Sequence, residues 1–335
     1  MIGGEFEINP NAPKGIFKEQ ENTYYYSSGR AALYQILKSI TNRNKHIWLP
    51  DYLCSTVINS VERAGYLYSF YELNDSLEVS IDDLTRNGFQ SSDVILLINY
   101  FGLQHLQGIT TKIRDKYPSA IIIEDDVQAF FEFHENPNPE ADYRYSSLRK
   151  TFAIPDGAPV YTKHPMPLAM EENTFAPFKY KAAYLKFRRD TLQNDEEYLS
   201  QFKIGNDLID SNLDSVMSVE SKALYGALDI EEVKRKRKAN SKYIVDALSK
   251  AGIKTVLPIP DDCTPLFVPI WLEKRDDTRK KMFAKEVFCP VHWPLEGLML
   301  KKGAEMAEHE LSLIVDQRYD KKNIDIIINT IDCKV

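Results

Sequence analysis

Cysteine is scarce in this 335-residue sequence, and long apolar runs are absent. The four cysteines, Cys54, Cys263, Cys289 and Cys333, lie far apart, and none belongs to a Cys-x-x-Cys pair. This spacing argues against a disulfide framework and against a structural zinc site. No apolar run approaches the ~18 residues of a membrane span, and the first residues lack the basic and apolar regions of a signal peptide. We therefore expect a soluble, cytoplasmic protein with no membrane partner.

An excess of positive charge is also lacking. The chain has 42 Lys and Arg against 49 Asp and Glu, which gives a net charge of -7. A nucleic-acid-binding protein normally has a basic face, so we expect no nucleic-acid partner. The one dense basic run, "EEVKRKRKANSK" at residues 231–242, begins with acidic residues. Its helix-like pattern favours a solvated helix face over a phosphate-binding stripe.

The apolar residues that are present alternate between strand-like and helix-like patterns. Residues 93–102 ("DVILLINYFG") and 120–128 ("AIIIEDDVQ") hold nearly continuous apolar runs, which are typical of strands buried on both faces of a parallel sheet. Residues 106–118, between them, have the pattern of a crossover helix. We predict an α/β fold with a mostly parallel sheet in residues 1–234 and a smaller α+β domain in residues 235–335. In such sheets ligands bind beyond the carboxyl ends of the strands.

One candidate for ligand binding is the start of a helix. Residues 28–40 have helical spacing, with Ser28 as the N-cap and Gly29 in the first turn. A Ser-Gly turn at this position presents free N–H groups and a partial positive charge, which suit a phosphate. A plain N-cap is the alternative and, for this feature taken alone, the more common one.

A second candidate is the group of carboxylates Glu124, Asp125 and Asp126 after a buried strand. These residues suit a helix N-cap, a divalent metal site or a carboxylate that holds a proton on a heterocyclic nitrogen. A metal usually recruits further carboxylates or histidines, and the next histidine, His134, is not suitably placed. We therefore expect no metal.

The third candidate is Lys150 in "SSLRKTFAIPDGAP", residues 146–159. A nucleophilic lysine must lose its proton near neutral pH, which burial and neighbouring cations promote. Arg149 is adjacent in sequence, although adjacent side chains usually diverge. Taken alone, Lys150 is more often a surface charge than a nucleophile.

Read together and in order, these segments resemble the DegT/DnrJ/EryC1/StrS family of sugar aminotransferases. The resemblance runs from about residue 24 to the C-terminus. It rests on "SGRAALYQIL", on "IWLPDYLCSTVINSVERAGYLYSFYEL", on "VILLINYFGLQ", on "IIEDDVQAF", on the Ser-x-x-Lys segment and on "VFCPVHWPL" at residues 287–295. These enzymes depend on pyridoxal 5'-phosphate (PLP) and have fold type I, a three-layer αβα large domain with a small C-terminal domain.

The resemblance implies a role for each matching residue. Lys150 would form the internal aldimine, a Schiff base, with PLP. Asp125 would pair with the protonated pyridine nitrogen, with Asp126 ranked second. The cofactor-binding residues implied are Ser28, Gly29, Arg30, Tyr52, Cys54, Asp125, Gln128, Ser146, Ser147 and Lys150. Two assignments stay open: whether Ser146 or Ser147 donates the hydroxyl, and whether Cys54 or Tyr52 stands where the family has its ring-stacking aromatic residue.

Two departures from the family pattern concern the substrate pocket. Ala158 stands where the family has a second glycine, and Asn212 and Asp214 align equally well with the asparagine that the family donates across its dimer interface. His292 and Trp293 either line the substrate entrance or form a packed pair.

The activity that the resemblance implies is amino transfer from a glutamate-like donor to a keto-sugar, with a nucleotide-linked sugar favoured. The protein would act as a homodimer. Two alternatives remain: other PLP chemistry on the same fold, such as dehydration, and a ligand-binding relative without turnover.

Overall fold

The computed structural model describes residues 1–41, 44–167, 171–191, 195–293 and 300–331. Among the features named above, Cys333 and residues 294–295 of the Val-His-Trp-Pro segment lie outside these ranges. Eleven strands and thirteen α-helices occupy the described residues.

The strands are β1 (Ile2–Gly3), β2 (Thr23–Tyr26), β3 (His46–Pro50), β4 (Leu67–Tyr71), β5 (Val94–Ile98), β6 (Ile121–Asp125), β7 (Tyr143–Tyr145), β8 (Ala158–Thr162), β9 (Phe267–Trp271), β10 (Val287–Phe288) and β11 (Glu310–Ile314). The helices are α1 (Gly29–Ser39), α2 (Ser55–Arg63), α3 (Ile81–Arg86), α4 (Gln107–Lys116), α5 (Phe130–Glu135), α6 (Leu148–Thr151), α7 (Ala176–Phe187), α8 (Glu196–Leu208), α9 (Val219–Tyr225), α10 (Ile230–Lys250), α11 (Arg275–Ala284), α12 (Lys301–His309) and α13 (Lys321–Thr330). Short 3₁₀ turns lie at Tyr100–Gly102, Arg189–Thr191 and Ile209–Ser211.

The large sheet has seven strands in the order β2-β8-β7-β6-β5-β3-β4. Strands β7, β6, β5, β3 and β4 run parallel, whereas β8 is antiparallel to β7 and to β2. Every residue of β5 is buried, because helices cover both faces of a parallel sheet and leave its central strands no solvated side. The mostly parallel α/β sheet predicted from the apolar runs is confirmed.

A second, smaller unit forms around the antiparallel pair β9 and β11. Apolar residues of α10, α11 and α13 pack on this pair in a core of their own, which includes Ile244, Met282 and Ile327. The N-terminal strand β1 pairs in parallel with β10, so the first residues of the chain lie against this unit. The division at residues 234/235 falls within α10 and stays a prediction.

The basic run at residues 231–242 lies on α10, and most of it is solvated as expected. Arg237 differs, because its side chain is only 1% exposed. It donates hydrogen bonds to the carbonyl oxygens of Thr151 at 3.2 Å and Leu266 at 3.1 Å, and to Oε1 of Gln317 at 2.9 Å. Burial of a guanidinium requires such partners, so this arginine joins α10 to α6 and to the residue before β9 instead of facing water.

Within the described ranges, none of the helices combines the length and the apolar character needed to cross a lipid bilayer.

Candidate active site

The carboxyl ends of three neighbouring strands meet at one edge of the large sheet. Ile98 of β5 is in register with Asp125 of β6, and Asp125 is in register with Tyr145 of β7. Residues in register on neighbouring strands point to the same face. The sheet therefore presents Ile98, Asp125 and Tyr145 as one row.

This row forms part of the wall of a cavity of about 130 Å³. The other lining residues are Ser28, Gly29, Arg30, Leu33, Cys54, Thr56, Val57, Ser60, Val127, Gln128, Ser147, Arg149, Lys150 and Trp293. Eight of the ten cofactor-binding residues predicted from the sequence are thus brought together, from four separate segments of the chain. The other two, Tyr52 and Ser146, are fully buried behind the wall.

Asp125 is held by two hydrogen bonds within the cavity wall. Its Oδ1 accepts from the Val127 N–H at 2.9 Å, and its Oδ2 accepts from the Tyr145 hydroxyl at 2.5 Å. Burial raises the pKa of Asp125 to about 6, although both hydrogen bonds and the nearby charge of Lys150 act to lower it. The carboxylate is therefore one whose charge a cationic ligand group would stabilise.

Asp126, the second-ranked alternative, points to the opposite face of the sheet. Its Oδ2 lies 2.9 Å from Nη2 of Arg144, which also lies 3.0 Å from Oε1 of Glu124. Side chains alternate between the faces of a strand, so Glu124 and Asp126 share one face and Asp125 occupies the other. Asp126 is engaged in this buried cluster and does not line the cavity.

Lys150 lies on α6, a single turn directly after β7. Its side chain is exposed to solvent where it opens onto the cavity. The protein around this opening partly desolvates the amine, which lowers the pKa of Lys150, and the positive charge of Arg149 lowers it further. Both effects favour the neutral amine, which is the nucleophilic and basic form.

Two hydrogen bonds to one carbonyl fix the turn that carries Lys150. The Thr151 carbonyl oxygen accepts from Arg237 at 3.2 Å and from Nε2 of Gln317 at 2.8 Å. Both donors come from the smaller unit of the fold. The position of Lys150 therefore depends on contacts that no local sequence pattern indicates.

Arg149 also faces the cavity, in spite of the usual divergence of adjacent side chains. Its pKa is lowered by burial, and its Nε is buried without a hydrogen-bond partner among the described residues. A buried cationic donor left without a partner is uncommon in folded proteins. It is suited to an anionic ligand group.

The start of α1 closes one side of the cavity. The Ser28 side chain caps the helix by accepting from the Ala31 N–H at 3.1 Å. The first intrahelical bond runs from the Ala32 N–H to the Ser28 carbonyl, so the N–H groups of Gly29 and Arg30 precede the hydrogen-bonded turns. A Cβ at Gly29 would lie 3.2 Å from Cγ2 of Val127 and would narrow this end of the cavity.

Gln128 is oriented by the turn after β5. Its Oε1 accepts from the Phe101 N–H at 2.9 Å. In that turn Gly102 has φ +71°, and a Cβ there would lie 2.9 Å from the Gln128 carbonyl oxygen. Glycine is therefore required both by the left-handed backbone and by the close approach.

An aromatic side chain reaches the cavity from the C-terminal Val-His-Trp-Pro segment, where Trp293 was one of two residues considered for the substrate entrance. Trp293 lines the wall, and its ring packs against Tyr52, with ring centroids 5.0 Å apart. Tyr52 in turn stacks on Tyr100 at 5.2 Å and donates from its hydroxyl to the His292 carbonyl at 2.9 Å. Tyr52 thus supports Trp293 from behind, while Cys54 stands in the wall itself.

The serines after β7 separate into two roles. The Ser146 hydroxyl donates to the Asp126 carbonyl at 2.8 Å, so it ties together the ends of β6 and β7. Ser147 lines the cavity and begins α6 without a side-chain capping bond. Of the two alternatives, the structure places only the Ser147 hydroxyl where a ligand could reach it.

The departure at Ala158 lies outside the cavity wall. Ala158 is fully buried in β8, in register with Tyr26. The preceding Gly157 has φ +117°, and a Cβ there would lie 3.0 Å from Met217. Gly157 is therefore the glycine that this turn requires, and Ala158 belongs to the core.

A second, larger cavity of about 550 Å³ adjoins the first and shares Gln128, Arg149 and Lys150 with it. Besides the shared residues, its wall contains the basic side chains of Lys186, Arg237 and Arg318, together with His292. The acidic side chains of Glu5 and Asp316 also line it, so the wall is charged with both signs. The N-terminal residues 3–6 complete the lining. His292 therefore faces this cavity and Trp293 the smaller one.

Sequence reasoning missed Tyr145, Thr56 and Ser60 in the wall of the smaller cavity. Strand alternation could have indicated Tyr145, because it occupies the same face as Asp125 on the next strand. The hydroxyl residues at the start of α2 gave no comparable signal. They reach the cavity only because α2 packs beside α1.

Comparison with known proteins finds likeness in structure but not in sequence. No protein-family model matches the chain, and no curated protein matches it. Among solved structures, a DegT/DnrJ/EryC1/StrS aminotransferase from Brucella abortus is 15% identical, with a TM-score of 0.64 over 92% of this chain and 85% of that one. A sugar aminotransferase from Micromonospora echinospora is 12% identical, with a TM-score of 0.64 over 94% and 88%. The NtdA protein of Bacillus subtilis, solved with bound cofactor PMP, is 14% identical, with a TM-score of 0.62 over 92% and 72%.

The chain therefore has the α/β fold of these aminotransferases, fold type I, as the sequence predicted. At this level of identity the likeness establishes the fold. The function must be argued from the chemistry of the cavity.

Proposed function

We propose that the protein is a PLP-dependent aminotransferase. The observation that carries the proposal is the shared cavity of Lys150 and Asp125: a lysine with a lowered pKa and a buried carboxylate with a raised pKa line one wall at the carboxyl edge of a parallel sheet. Paired shifts of this kind concentrate at functional sites. The fold shared with solved aminotransferases supports the same reading.

The cavity fits PLP in three respects. The Arg149 Nε is a buried donor without a partner among the described residues, as an anion site would have. The glycine at position 29 leaves space beside the free N–H groups of α1, where a phosphate is stabilised by the helix dipole. The Asp125 carboxylate offers an acceptor for a protonated ring nitrogen.

Each residue then has a stated task. Gly29 and Arg30 would bind the phosphate through their N–H groups, with the Ser147 hydroxyl beside them. Asp125 would hold the proton on the pyridine nitrogen, and Trp293 and Val127 would exclude water from the ring. When bound, PLP supplies an electron sink that makes the α-hydrogen of an amino acid acidic.

Lys150 would both attach the cofactor covalently and move a proton at its Nζ. A lysine does this efficiently when its amine is neutral near the working pH. The lowered pKa of Lys150 has its main cause in burial and its second in Arg149. The site therefore uses the same arginine to attract an anion and to keep the lysine neutral.

The substrate class is the finer part of the proposal. A glutamate-like donor and a keto-sugar acceptor, with a nucleotide-linked sugar favoured, suit the larger cavity, where the Arg149 Nε, without a partner among the described residues, would bind a carboxylate or phosphate group. The Micromonospora echinospora neighbour is a sugar aminotransferase, which supports this choice.

The homodimer, the cytoplasmic location and the domain division at 234/235 belong to the same proposal. Asn212, considered above as a residue donated to a partner subunit, bonds within its own chain: its Oδ1 accepts from the Thr174 N–H at 2.8 Å and its Nδ2 donates to the Leu208 carbonyl at 2.8 Å. Size-exclusion chromatography with light scattering should give twice the chain mass. A monomer would contradict the dimer.

The test of the central proposal is covalent mapping. Protein incubated with PLP is reduced with borohydride and digested, and mass spectrometry should find the cofactor on the peptide that contains Lys150. The matched control is Lys179, a buried lysine whose pKa burial lowers to about 7 and which does not line this cavity. Lys179→Ala should keep the label on Lys150, and Lys150→Ala should lose it. A label on Lys179, or no label, would refute the assignment.

Product analysis separates amino transfer from the alternatives. With glutamate as donor and no acceptor, an aminotransferase releases one equivalent of 2-oxoglutarate per site. Lys150→Ala should lower this half-reaction by about 10²–10⁴-fold, the usual range for a positioned general acid–base. Protein that binds PLP but yields no keto acid with any amino donor would favour the dehydratase-like or the non-catalytic alternative.

A further inference from the structure

A cluster of three different metal-ligating side chains lies outside the proposed active site. His105 belongs to the loop between the 3₁₀ turn Tyr100–Gly102 and α4, and Asp262 and Cys263 belong to the loop between α10 and β9. One ligand atom of each residue lies within 4.8 Å of the others. The two loops come from positions more than 150 residues apart in the chain.

The two separations that involve His105 match those of ligands around one zinc ion. Nε2 of His105 lies 3.2 Å from Oδ2 of Asp262 and 3.6 Å from Sγ of Cys263. In a tetrahedral zinc site with ordinary bond lengths, nitrogen and oxygen ligands are about 3.3 Å apart and nitrogen and sulfur ligands about 3.6 Å apart. Since the Asp262 and Cys263 ligand atoms also lie within 4.8 Å of each other, the three groups are close enough to converge on a single ion.

The far side of the imidazole is arranged as in known metal sites. Nδ1 of His105 lies 2.9 Å from Oε1 of Glu132, and Oε2 of Glu132 accepts from Nδ2 of Asn136 at 2.6 Å. A carboxylate at Nδ1 holds the proton on that nitrogen and leaves the Nε2 lone pair directed at the metal. Here Nε2 is the atom that faces Asp262 and Cys263.

The chemistry of the three donors selects the ion. Imidazole nitrogen and thiolate sulfur favour zinc over magnesium or calcium, and a carboxylate completes a mixed set that zinc accepts. Cys263 is 6% exposed while Asp262 and His105 are exposed, so solvent can reach the fourth position. Binding converts the thiol to a thiolate and releases its proton to solvent.

We propose that His105, Asp262 and Cys263 bind a zinc ion whose fourth ligand is water, and that this ion fastens the loop after β5 to the loop before β9. The same loops already touch through the hydrogen bond from the Leu266 N–H to the Phe101 carbonyl at 2.8 Å. Phe101 also donates to Gln128 in the cavity wall. The metal would thus hold the two loops together next to the active site, whether or not the cavity binds PLP.

Cobalt(II) is the probe for this site, because it replaces zinc and its spectrum reports its ligands. Full-length reduced protein titrated with Co²⁺ should show one equivalent of tight binding, with intense visible bands of a four-coordinate ion and a near-ultraviolet sulfur-to-cobalt charge-transfer band. Zinc should abolish both. Difference spectra against the metal-free protein remove any contribution of cofactor, and the visible bands lie clear of it.

Single substitutions assign the ligands. Cys263→Ser should remove the charge-transfer band, and Asp262→Asn, an exposed position that leaves folding intact, should weaken cobalt binding. Glu132→Gln should weaken it by about 10–100-fold, as loss of a carboxylate behind a metal-bound histidine does. Serine at Cys54 or Cys289 should leave the spectrum unchanged. A spectrum without the charge-transfer band, or a band that survives Cys263→Ser, would overturn the proposal.

Discussion

The two faces of the strand pair β6–β7 carry the same kinds of side chain in two different states. On one face Glu124 and Asp126 share Arg144, which lies within about 3.0 Å of both carboxylates. On the other face Asp125 has neutral hydrogen-bond donors and a cavity in front of it. Both groups are almost fully buried. Only the second leaves a carboxylate available to a ligand.

The difference shows how a buried charge serves structure or binding according to its partner. A carboxylate that is paired with a cation inside the fold is held by that cation and is not available to a ligand, although burial and Glu124 still raise the pKa of Asp126 well above its usual value. A carboxylate that meets only neutral donors remains destabilised, so that a cationic ligand group recovers the lost free energy on binding. The alternation of side chains along β6 assigns the two states to neighbouring residues.

Removal of the cation on the paired face should have the largest effect. Arg144→Met leaves Glu124 and Asp126 buried together without a counter-ion, and we expect the free energy of unfolding to fall by about 3–5 kcal/mol. Urea denaturation followed by circular dichroism measures this. The exposed arginine Arg235, paired with Glu232 on α10, is the matched control, and Arg235→Met should leave stability nearly unchanged. Equal effects at both sites would show that the buried cluster is not structural.

On the other face, removal of the Asp125 charge should instead make the folded protein more stable at neutral pH. Burial raises the pKa of Asp125 from 3.8 to about 6, so the folded chain holds this proton more tightly than the unfolded chain. The protonated Asp125 side chain therefore stabilises the fold below about pH 4. This contribution to the free energy of unfolding, roughly 3 kcal/mol, is lost as the pH rises through about 6.

Asp125→Asn stays neutral and should escape this loss. Relative to the unchanged protein, both without cofactor, its free energy of unfolding should gain about 3 kcal/mol between pH 4 and pH 7.5. Asp246→Asn, at an exposed position of α10, should show no such trend. A pH-independent difference for Asp125→Asn would mean that its pKa is not raised.

Cofactor affinity should distinguish the two faces under the proposed function. Asp125→Asn removes a charged partner of the pyridine nitrogen and should weaken PLP binding about 10–100-fold. Asp126→Asn should change the dissociation constant of PLP by less than about threefold, because the Asp126 side chain lies on the face of the sheet away from the cavity and does not contact the ligand. Spectroscopic titration with PLP gives both constants. If Asp126→Asn weakened PLP binding more than Asp125→Asn, Asp126 would be the partner of the ring nitrogen.

The smallest expected effect concerns the hydroxyl that supports Asp125. The Tyr145 hydrogen bond lowers the pKa of Asp125, so Tyr145→Phe should raise it. PLP binding is expected to weaken as the pH falls and Asp125 takes up a proton, and the midpoint of this loss should move upward by up to about one pH unit.

The control for that shift is Tyr143→Phe, two residues earlier on the same face, whose hydroxyl lies 3.2 Å from that of Ser39. It should leave the midpoint in place. A downward shift for Tyr145→Phe would show that its hydroxyl donates to something other than the ionised carboxylate.

Much of the fold was predictable because its signals are local. The apolar runs gave β5 and β6, the Ser-Gly turn gave the start of α1, and the order of these elements gave a parallel sheet with its site at the carboxyl edge. Most of the predicted wall, including Lys150, Asp125, Gln128 and Gly29, lines one cavity because each residue lies at the end of a strand, in the turn after it or in the first turn of a helix.

What could not be predicted depends on contacts between distant segments. Tyr52 supports the cavity from behind because Trp293 arrives from a segment 240 residues later in the chain. Arg237 was expected in solvent, and it is buried because the Thr151 and Leu266 carbonyls need a donor. The spacing of the cysteines argued against zinc, yet the proposed ligands Cys263 and His105 meet only through the folding of two loops.

The sequence by itself determined the order of the elements and the parallel sheet, because periodicity and capping act over a few residues. The tertiary structure decided which charge is paired with Arg144, which aromatic ring reaches the cavity and how far the pKa values of Lys150 and Asp125 move. Those properties depend on burial and on neighbours from other segments, and neither exists until the chain has folded.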